Sequence, residues 1–564
     1  MADDTAVTEP EHAVDFIVIG SGGGLCGAIA AARNGADVLV VEKQAFVGGS
    51  TGLSGGVIWL PDNPLMQREC VADSVEEGMA YFADVVGDIG PASSIARRQR
   101  YITVGHEMIE FLEREGLPFR RCEGYADYYS EAAGGKSRSR SIEVQWFNGK
   151  ELGPWLDHLR RGFRGFAMYC REGSELSLVR RSPKSAFVAA RVAGRTTMGK
   201  VMGQARLTMG AGLIARLLHV AIGRGIPIWT QAPFVSFLTD ADRITGVIVS
   251  RNGRDVRIAA RKGVLLSAGG FARDAGMRAE FAPKRPGEIT WTSSNLGDTG
   301  EVLRAAMRLG AATALLDEAW WIPTSIGPDG SRTMHLYERS KPGSLVVDVN
   351  GARFMNEALP YMEAGQAMYA HNDAVPSVPC WLIMDTRHRR RYPFGLSPPG
   401  HTPAEWLSSG YMRKADTLAG LAAQCGVDAK GLEMTVARFN QFAADGTDRD
   451  FHRGEGAYDR YCGDRTNKPN PCLGPVDKPP YWAVALYPGD IGTSGGLVCD
   501  EHSQVLCLDG SPIPGLYAAG NISASVMGRR YLGAGASIGA SLIFSYIAAQ
   551  HATGPDGPPE RKTP

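Results

Sequence analysis

Residues 15–56, DFIVIGSGGGLCGAIAAARNGADVLVVEKQAFVGGSTGLSGG, constrain the fold more than any other part of the chain. Residues 16–19 form a short apolar run that ends in glycine, the pattern of a buried strand. Gly20, Gly22, Gly23 and Gly24 follow. The small residues of 28–32 then suit a helix packed closely on that strand. Residues 38–41 read as a second buried strand, and it ends at Glu42. Strand, glycine turn, helix, strand and acid make the dinucleotide-binding βαβ unit. In such a unit glycines let the backbone approach a pyrophosphate, whose charge is met by N–H groups at the helix N-terminus. Glu42 is placed to accept hydrogen bonds from the adenosine ribose. Two registers satisfy the glycines: Gly22, Gly24 and Gly27 as G-x-G-x-x-G, or Gly20, Gly22 and Gly24 in a loop one residue shorter.

The residues just beyond separate FAD from NAD. Lys43 follows the acid, and then come Gly48, Gly49, Ser50 and Thr51, with Ser54, Gly55 and Gly56. This looks like the second phosphate and ribityl contact of FAD proteins of the glutathione-reductase-like group, and a simple NAD domain has no use for it. Residues 74–116 have a helical pattern that closes on Gly-Leu-Pro. A loop carrying Tyr125, Tyr128 and Tyr129 follows, and aromatics in such a loop serve as wall or lid. Residues 226–268 read as a strand, a hairpin meander and a return strand ending at Ala268 and Gly269; the adenine is expected beside the first strand, near Val235. Residues 295–310 give a short loop and a helix. From about 320 to 488 the glycine turns thin out and Trp, Pro and Tyr increase. Cofactor-type sequence then returns: a strand over 515–521 that brings Gly520 and Asn521 beside the flavin, and a last helix opened by residues 533–537. Its N-terminus, with Ser537 and Ile538, is expected to face the flavin's pyrimidine edge and stabilise negative charge there.

The predicted fold is therefore α/β: a Rossmann-like FAD-binding domain of the glutathione-reductase-like type with an inserted α+β catalytic domain. The predicted divisions are 12–321 for the first part of the FAD-binding domain, 322–488 for the catalytic domain and 489–552 for the second part. Residues 1–11 and 553–564 are expected to be flexible tails.

At 564 residues the chain can hold two domains and a large core. Lys+Arg and Asp+Glu both total 60, so no overall charge points to nucleic acid. The ten cysteines show no CxxC pair or Cys/His cluster, which predicts reduced thiols in a cytoplasmic protein and no metal site. The N-terminal residues are polar and acidic, with no signal-peptide pattern, and no apolar run is long enough to span a bilayer. Residues 151–225 differ from the rest. They carry 13 Arg and Lys, Arg164 among them, against 4 acids. They also hold Phe163, Phe166, Met168, Phe187, Met198, Met202, Met209, Leu213, Ile214, Leu217 and Leu218. Basic and apolar residues at helical spacing suit an insert that lies on an anionic membrane, so peripheral attachment to the inner membrane face is expected; a solvated basic face on ordinary helices is the other reading.

The motifs VIGSGGG, VVEK, GGSTGLSGG, DYY, LLSAGGF, GARFMNEALPY, GTSGGL, LYAAGN and RYLGAGASIG occur in order over nearly the whole chain. Together they resemble the 3-ketosteroid Δ1-dehydrogenases, flavoproteins of the fumarate-reductase-like superfamily; the basic insert resembles that of cholestenone-type members. The resemblance implies non-covalent FAD, a 3-ketosteroid substrate, and a quinone or other electron acceptor. It implies removal of hydrogens from C1 and C2 of the steroid A ring, a hydride passing from C1 to flavin N5 and a proton from C2 to a base. A C–H beside a ketone is acidic only when the carbonyl oxygen is stabilised as it gains charge. Tyr531 and the Gly535 N–H match the family's pair for that task, although Leu532 and Ala534 stand where the family usually has prolines. Tyr361 matches the base. A free phenol titrates near 10, so a second hydroxyl must support its anion: Tyr128, with Tyr129 as second choice and Tyr125 after it. The alternatives are a Δ4-(5α)-dehydrogenase, a fumarate-reductase-like enzyme with arginines and histidines converging on a dicarboxylate, and a flavin-binding electron carrier. No histidine motif for covalent flavin attachment is evident.

Overall fold

The computed structural model describes residues 10–138, 140–162, 165–285 and 287–555. Phe163, Arg164, the first nine residues and most of the expected C-terminal tail lie outside them. The strand β1 (His12–Ile19), helix α1 (Gly24–Arg33) and strand β2 (Val38–Val41) form the predicted βαβ unit. β1 pairs in parallel with β2 on one side and with the strand Arg254–Leu266 on the other. That strand pairs in parallel with Pro512–Ala518, and β2 with Ile228–Trp229. Phe16 and Val18 enter one core cluster and Ile17 and Ile19 the other, so both faces of the sheet are covered. A strand buried on both faces has no polar alternation, which explains the unbroken apolar run.

The glycines after β1 divide their work. Gly20 has φ +103°, and a Cβ there would stand 2.2 Å from the Ser267 carbonyl oxygen. Gly24 and Gly27 admit neighbours: their Cβ atoms would meet Val18 Cγ1 at 2.7 Å and the Ser545 oxygen at 2.7 Å. The last helix, Ala536–Thr553, thereby lies directly against α1.

A second, antiparallel sheet follows the order Arg332–Met334, Ala319–Ile326, Tyr481–Thr493, Cys380–Met384 and Ser344–Val347. The helix Tyr361–Asn372 packs on Ala319–Ile326, where a Cβ on Gly365 would meet the Trp321 Cβ at 2.5 Å. The long strand Tyr481–Thr493 runs past residue 488 without a break and reaches the first sheet's side of the molecule.

The basic stretch is not one unit. Its helix Met209–Gly223 is core: Leu213, Ile214, Leu217 and Leu218 are fully buried, and Met209 nearly so. Those residues cannot touch a membrane, because they cover the cofactor sheet. Several of the cations are paired inside the protein: Arg191 and Arg195 with Glu172, Arg181 with Asp464, Arg224 with Glu115. The helix Pro183–Val201 turns several large apolar side chains outward, Phe187, Met198 and Val201. Among the described residues no helix is long and apolar enough to cross a membrane.

Gly20→Ala is expected to destabilise the protein by about 2 kcal/mol or more, since strain and overlap coincide there. Gly194→Ala, inside the helix Pro183–Val201 with no atom near its added methyl, is expected to be neutral or stabilising by about 0.5–1 kcal/mol. Denaturant unfolding of the two variants checks the contrast.

Candidate active site

One long cavity of about 370 Å³ runs between the two sheets. Its wall carries Gly20, Gly22, Gly23, Glu42, Lys43, Gly49, Ser50, Thr51, Ser54, Gly55 and Gly56 from the N-terminal region. Ala268, Gly269, Gly520, Asn521, Ser537 and Ile538 join them from segments hundreds of residues away. Two expected cofactor residues are elsewhere. Gly24 lies inside α1 against Val18. Val235 is 46 % exposed, because the strand Phe234–Asp240 sends alternate side chains to opposite faces; Ala232 and Phe234 reach the cavity instead.

Glu42 is held by its neighbours, accepting from the Ser21 N–H and hydroxyl and from the Gln44 N–H. The Ser21 hydroxyl also accepts from the Gly48 N–H, so one serine ties the first glycine turn to the second. Lys43 donates to Thr299 at 2.7 Å and to Glu301 at 2.6 Å. Asp298 was not foreseen. It is buried, accepts from the Ser50 hydroxyl at 3.0 Å, and burial pushes it up to about 7 against the pull of Ser50 and Lys43. Its only sequence signal was the Gly-Asp turn before the helix Glu301–Arg308.

Across the cavity from Glu42 the wall becomes aromatic. Tyr128, Tyr361 and Tyr531 come together with ring centroids 5.5 Å (128 to 361), 5.6 Å (128 to 531) and 5.0 Å (361 to 531) apart. All three are buried. Tyr361 is the first residue of the helix Tyr361–Asn372, entered through Pro360. The Tyr531 hydroxyl shares a hydrogen bond of 2.9 Å with Ser537, and Trp320 stands edge-on to the Tyr531 ring at 5.1 Å. Gly535 has φ +97°, and a Cβ there would overlap the Val57 carbonyl at 2.2 Å, so only glycine can open the last helix at this point. The Leu532 carbonyl accepts from the Tyr128 N–H at 3.0 Å and the Tyr81 hydroxyl at 2.8 Å, fastening the two tyrosine loops together. Tyr129 does not reach the cavity. It follows Tyr128 in a turn, and the Arg530 guanidinium stands 5.9 Å from its ring. Tyr125 does line the cavity, 6.5 Å from Tyr128 and 4.4 Å from Tyr461.

Burial, then the neighbouring phenols of Tyr128 and Tyr531, push the Tyr361 phenol well above its ordinary value. Burial does the same to Tyr128. Glu42, Lys43, Asp298 and Glu301 are the charged side chains on the wall among the described residues, and all belong to the glycine-turn end. The tyrosine end adds Ile322, Leu336, Tyr337, Ile491, Met168 and Cys170. Their place on the wall was missed in the sequence because they come from four separate segments.

The wall fits FAD on its own geometry. A glycine cradle and a fixed acid lie at one end, a helix N-terminus at the other, and between them the buried Asn295 Oδ1 and Ser293 Oγ have no partner in the protein. Fold and cavity together define an FAD-binding oxidoreductase. The family model described as FAD binding domain matches residues 15–538. The chain is 40 % identical over 555 residues to the 3-oxosteroid 1-dehydrogenase of Mycobacterium tuberculosis (strain ATCC 25618 / H37Rv), covering 95 % of this chain and 98 % of that relative. The crystal structure of 3-ketosteroid Δ1-dehydrogenase from Sterolibacterium denitrificans with 1,4-androstadiene-3,17-dione superposes with a TM-score of 0.91 at 38 % identity, over 96 % of this chain and 99 % of that one. The chain belongs to the 3-ketosteroid Δ1-dehydrogenase family, and FAD is its cofactor. The 3-ketosteroid-Δ4-(5α)-dehydrogenase from Rhodococcus jostii RHA1, at 22 % identity over 97 % of this chain and 98 % of that one, with a TM-score of 0.65, shares the fold.

Glu42→Ala is expected to weaken FAD retention by about tenfold or more, which is about 1.4 kcal/mol. Equilibrium dialysis of the flavin checks it, and wild-type affinity would place the ribose contact elsewhere.

Proposed function

We propose that this protein introduces a double bond between C1 and C2 of a 3-ketosteroid A ring. The observation that carries the proposal is the cluster of three buried tyrosines at the apolar end of the FAD cavity. FAD, when bound, accepts the hydride from C1 at its N5 nitrogen. The other groups come from the chain. Tyr361, as its phenolate, takes the proton from C2 and becomes neutral, and Tyr128, 5.5 Å away ring to ring, is the hydroxyl that would donate to that phenolate before the transfer. The Tyr531 hydroxyl and the Gly535 N–H hold the C3 oxygen as it gains charge. Ser537, hydrogen-bonded to Tyr531, keeps that hydroxyl aimed into the cavity. Trp320, Ile322 and Leu336 supply flat apolar walls for fused rings and keep water out. The two electrons then leave to a quinone or a comparable acceptor.

Two details favour this reading over its alternatives. The family resemblance implies that Δ4-(5α) enzymes carry a serine two residues after the tyrosine. Here that residue is Gly533, and a Cβ on it would stand 2.3 Å from the Trp59 ring, so no side chain fits. A fumarate-reductase-like reaction needs arginines and histidines around a dicarboxylate, and among the described residues the wall holds neither.

Tyr361→Phe and Tyr531→Phe are each expected to lower kcat/KM by about 100-fold or more, and Tyr129→Phe to leave it near wild type. Because burial raises the Tyr361 phenol, the form able to take a proton grows as pH rises, so wild-type kcat/KM is expected to climb from neutral to alkaline pH. The Tyr361→Phe variant should lose that rise. Under anaerobic conditions a 3-ketosteroid should bleach the bound flavin; a protein that only carries electrons would stay yellow.

The outward face of the helix Pro183–Val201 supports a second reading, peripheral attachment to an anionic membrane. Phe187, Met198 and Val201 are 53–78 % exposed on one helical face, with Met202 just beyond the helix end. Deleting residues 160–210 would strip Met168 and Cys170 from the cavity wall, so point changes make the better test. Phe187→Glu with Val201→Glu is expected to abolish sedimentation with phosphatidylglycerol vesicles while FAD content stays constant. Unchanged sedimentation would dismiss the membrane role.

A further inference from the structure

Arg97 is a buried charge with no part in the scheme above. It lies in the first turn of the helix Ile95–Arg114 and is 1 % exposed. Its Nη1 donates to the carbonyl oxygens of Ala92 at 2.6 Å and Ala524 at 3.2 Å, and its guanidinium stands 4.6 Å above the Phe544 ring. Among the described residues no carboxylate comes within ion-pair distance of it; Asp500 is the acid that faces it, at longer range. An unpaired guanidinium in a dry interior costs several kcal/mol unless some other negative charge is near.

A small cavity of about 10 Å³ lies beside that charge. Arg97 and Ser494 line it on one side. Trp320, Gly520, Asn521 and Ser537 also line it, and the same four residues line the FAD cavity. The two cavities are therefore separated by one layer of chain. Arg97 Nε and Ser494 Oγ are both buried without a protein partner, and the volume between them suits a single water, which needs about 10–15 Å³. Ser537 also identifies which end of the cofactor lies beyond the wall. Its hydroxyl is bonded to Tyr531, at the reacting end, whereas Glu42 and the glycine turn hold the opposite end.

We infer that Arg97 is a positioning residue for charge: acting across this small cavity, it stabilises the negative charge that the flavin ring acquires on reduction, and so raises the reduction potential of bound FAD. The inference rests on FAD occupying the main cavity as proposed above. A cation fixed behind the ring favours electron gain before any substrate is present. The Ala92 and Ala524 carbonyls and the Phe544 face hold the guanidinium while the ring is neutral, and the ring adds a negative charge near it only on reduction.

The test uses the FAD-loaded enzyme and two readouts that need no turnover: the midpoint potential of the bound flavin, and the affinity for sulfite, which adds to oxidised flavin and leaves negative charge on the ring. Arg97→Met is expected to weaken sulfite binding about tenfold and to lower the potential by about 30 mV, the equivalent of tenfold for a two-electron couple. Arg97→Lys should keep most of both. FAD-loaded Arg97→Met with wild-type potential and sulfite affinity would overturn the inference. If Arg97→Met does not fold or loses FAD, Ser494→Ala decides: weaker sulfite binding supports the inference and unchanged binding overturns it. A wild-type protein that purifies without FAD would instead overturn the functional reading on which the inference stands.

Discussion

The structure depends on the close seating of its last helix. Ala536–Thr553 lies against α1 because Gly23 and Gly27 leave room for Ser541 and Ser545; Cβ atoms there would come within 2.1 Å and 2.7 Å of them. Its first turn enters between the strand Val57–Trp59 and the cavity because Gly535 can adopt φ +97° against the Val57 carbonyl. Gly539 repeats the fit against the Tyr101 hydroxyl, at 2.5 Å. These contacts join residues about five hundred positions apart, and they place Tyr531, Gly535 and Ser537 beside the glycine turn that opens the chain. Interiors are packed too tightly for such contacts to be approximate, so the geometry of the reacting end follows from where glycine stands.

The loop that brings in Tyr128 is held by polar groups. Arg140, fully buried, bridges Asp73 and Asp127. Asp127 also accepts from the Trp59 indole at 2.7 Å and from the Lys136 N–H at 3.0 Å. Burial still pushes Asp127 up to about 6, against the pull of Arg140 and Trp59. Removing one member of such a buried group leaves an unpaired charge and typically costs about 3–5 kcal/mol. Tyr81 completes the arrangement by bonding Leu532 and accepting from the Tyr129 N–H. The apolar reacting end is therefore framed by a charged network that never touches the cavity, while the wall itself carries charge only at the glycine-turn end.

Much of this was legible in the residues. The βαβ unit, the second glycine turn and the return of cofactor-type sequence near residue 515 are contiguous motifs, and the backbone requirement behind each acts locally. Tyr361 and Tyr531 could be named because the motifs GARFMNEALPY and RYLGAG resemble those of the family. Val235 went astray for a different reason: a strand shows which residues alternate, not which set faces inward. Tyr128 and Tyr129 could not be separated because the loop holding them has no period, and its orientation comes from Leu532, four hundred residues away. The basic stretch misled in part because composition cannot distinguish a cation that meets solvent from one bonded to Glu172 or Asp464.

By itself the sequence determined the cofactor unit and the order of the segments around it, since these rest on local backbone demands; the roles proposed for Tyr361 and Tyr531 came from the family resemblance. Tertiary structure alone decided which tyrosine of the 125–129 loop stands beside Tyr361, which part of the basic stretch is surface, and that Arg97 is buried behind the cofactor wall. Each of those outcomes is set by the direction of a side chain against a distant segment, and such contacts leave no periodic mark in the chain.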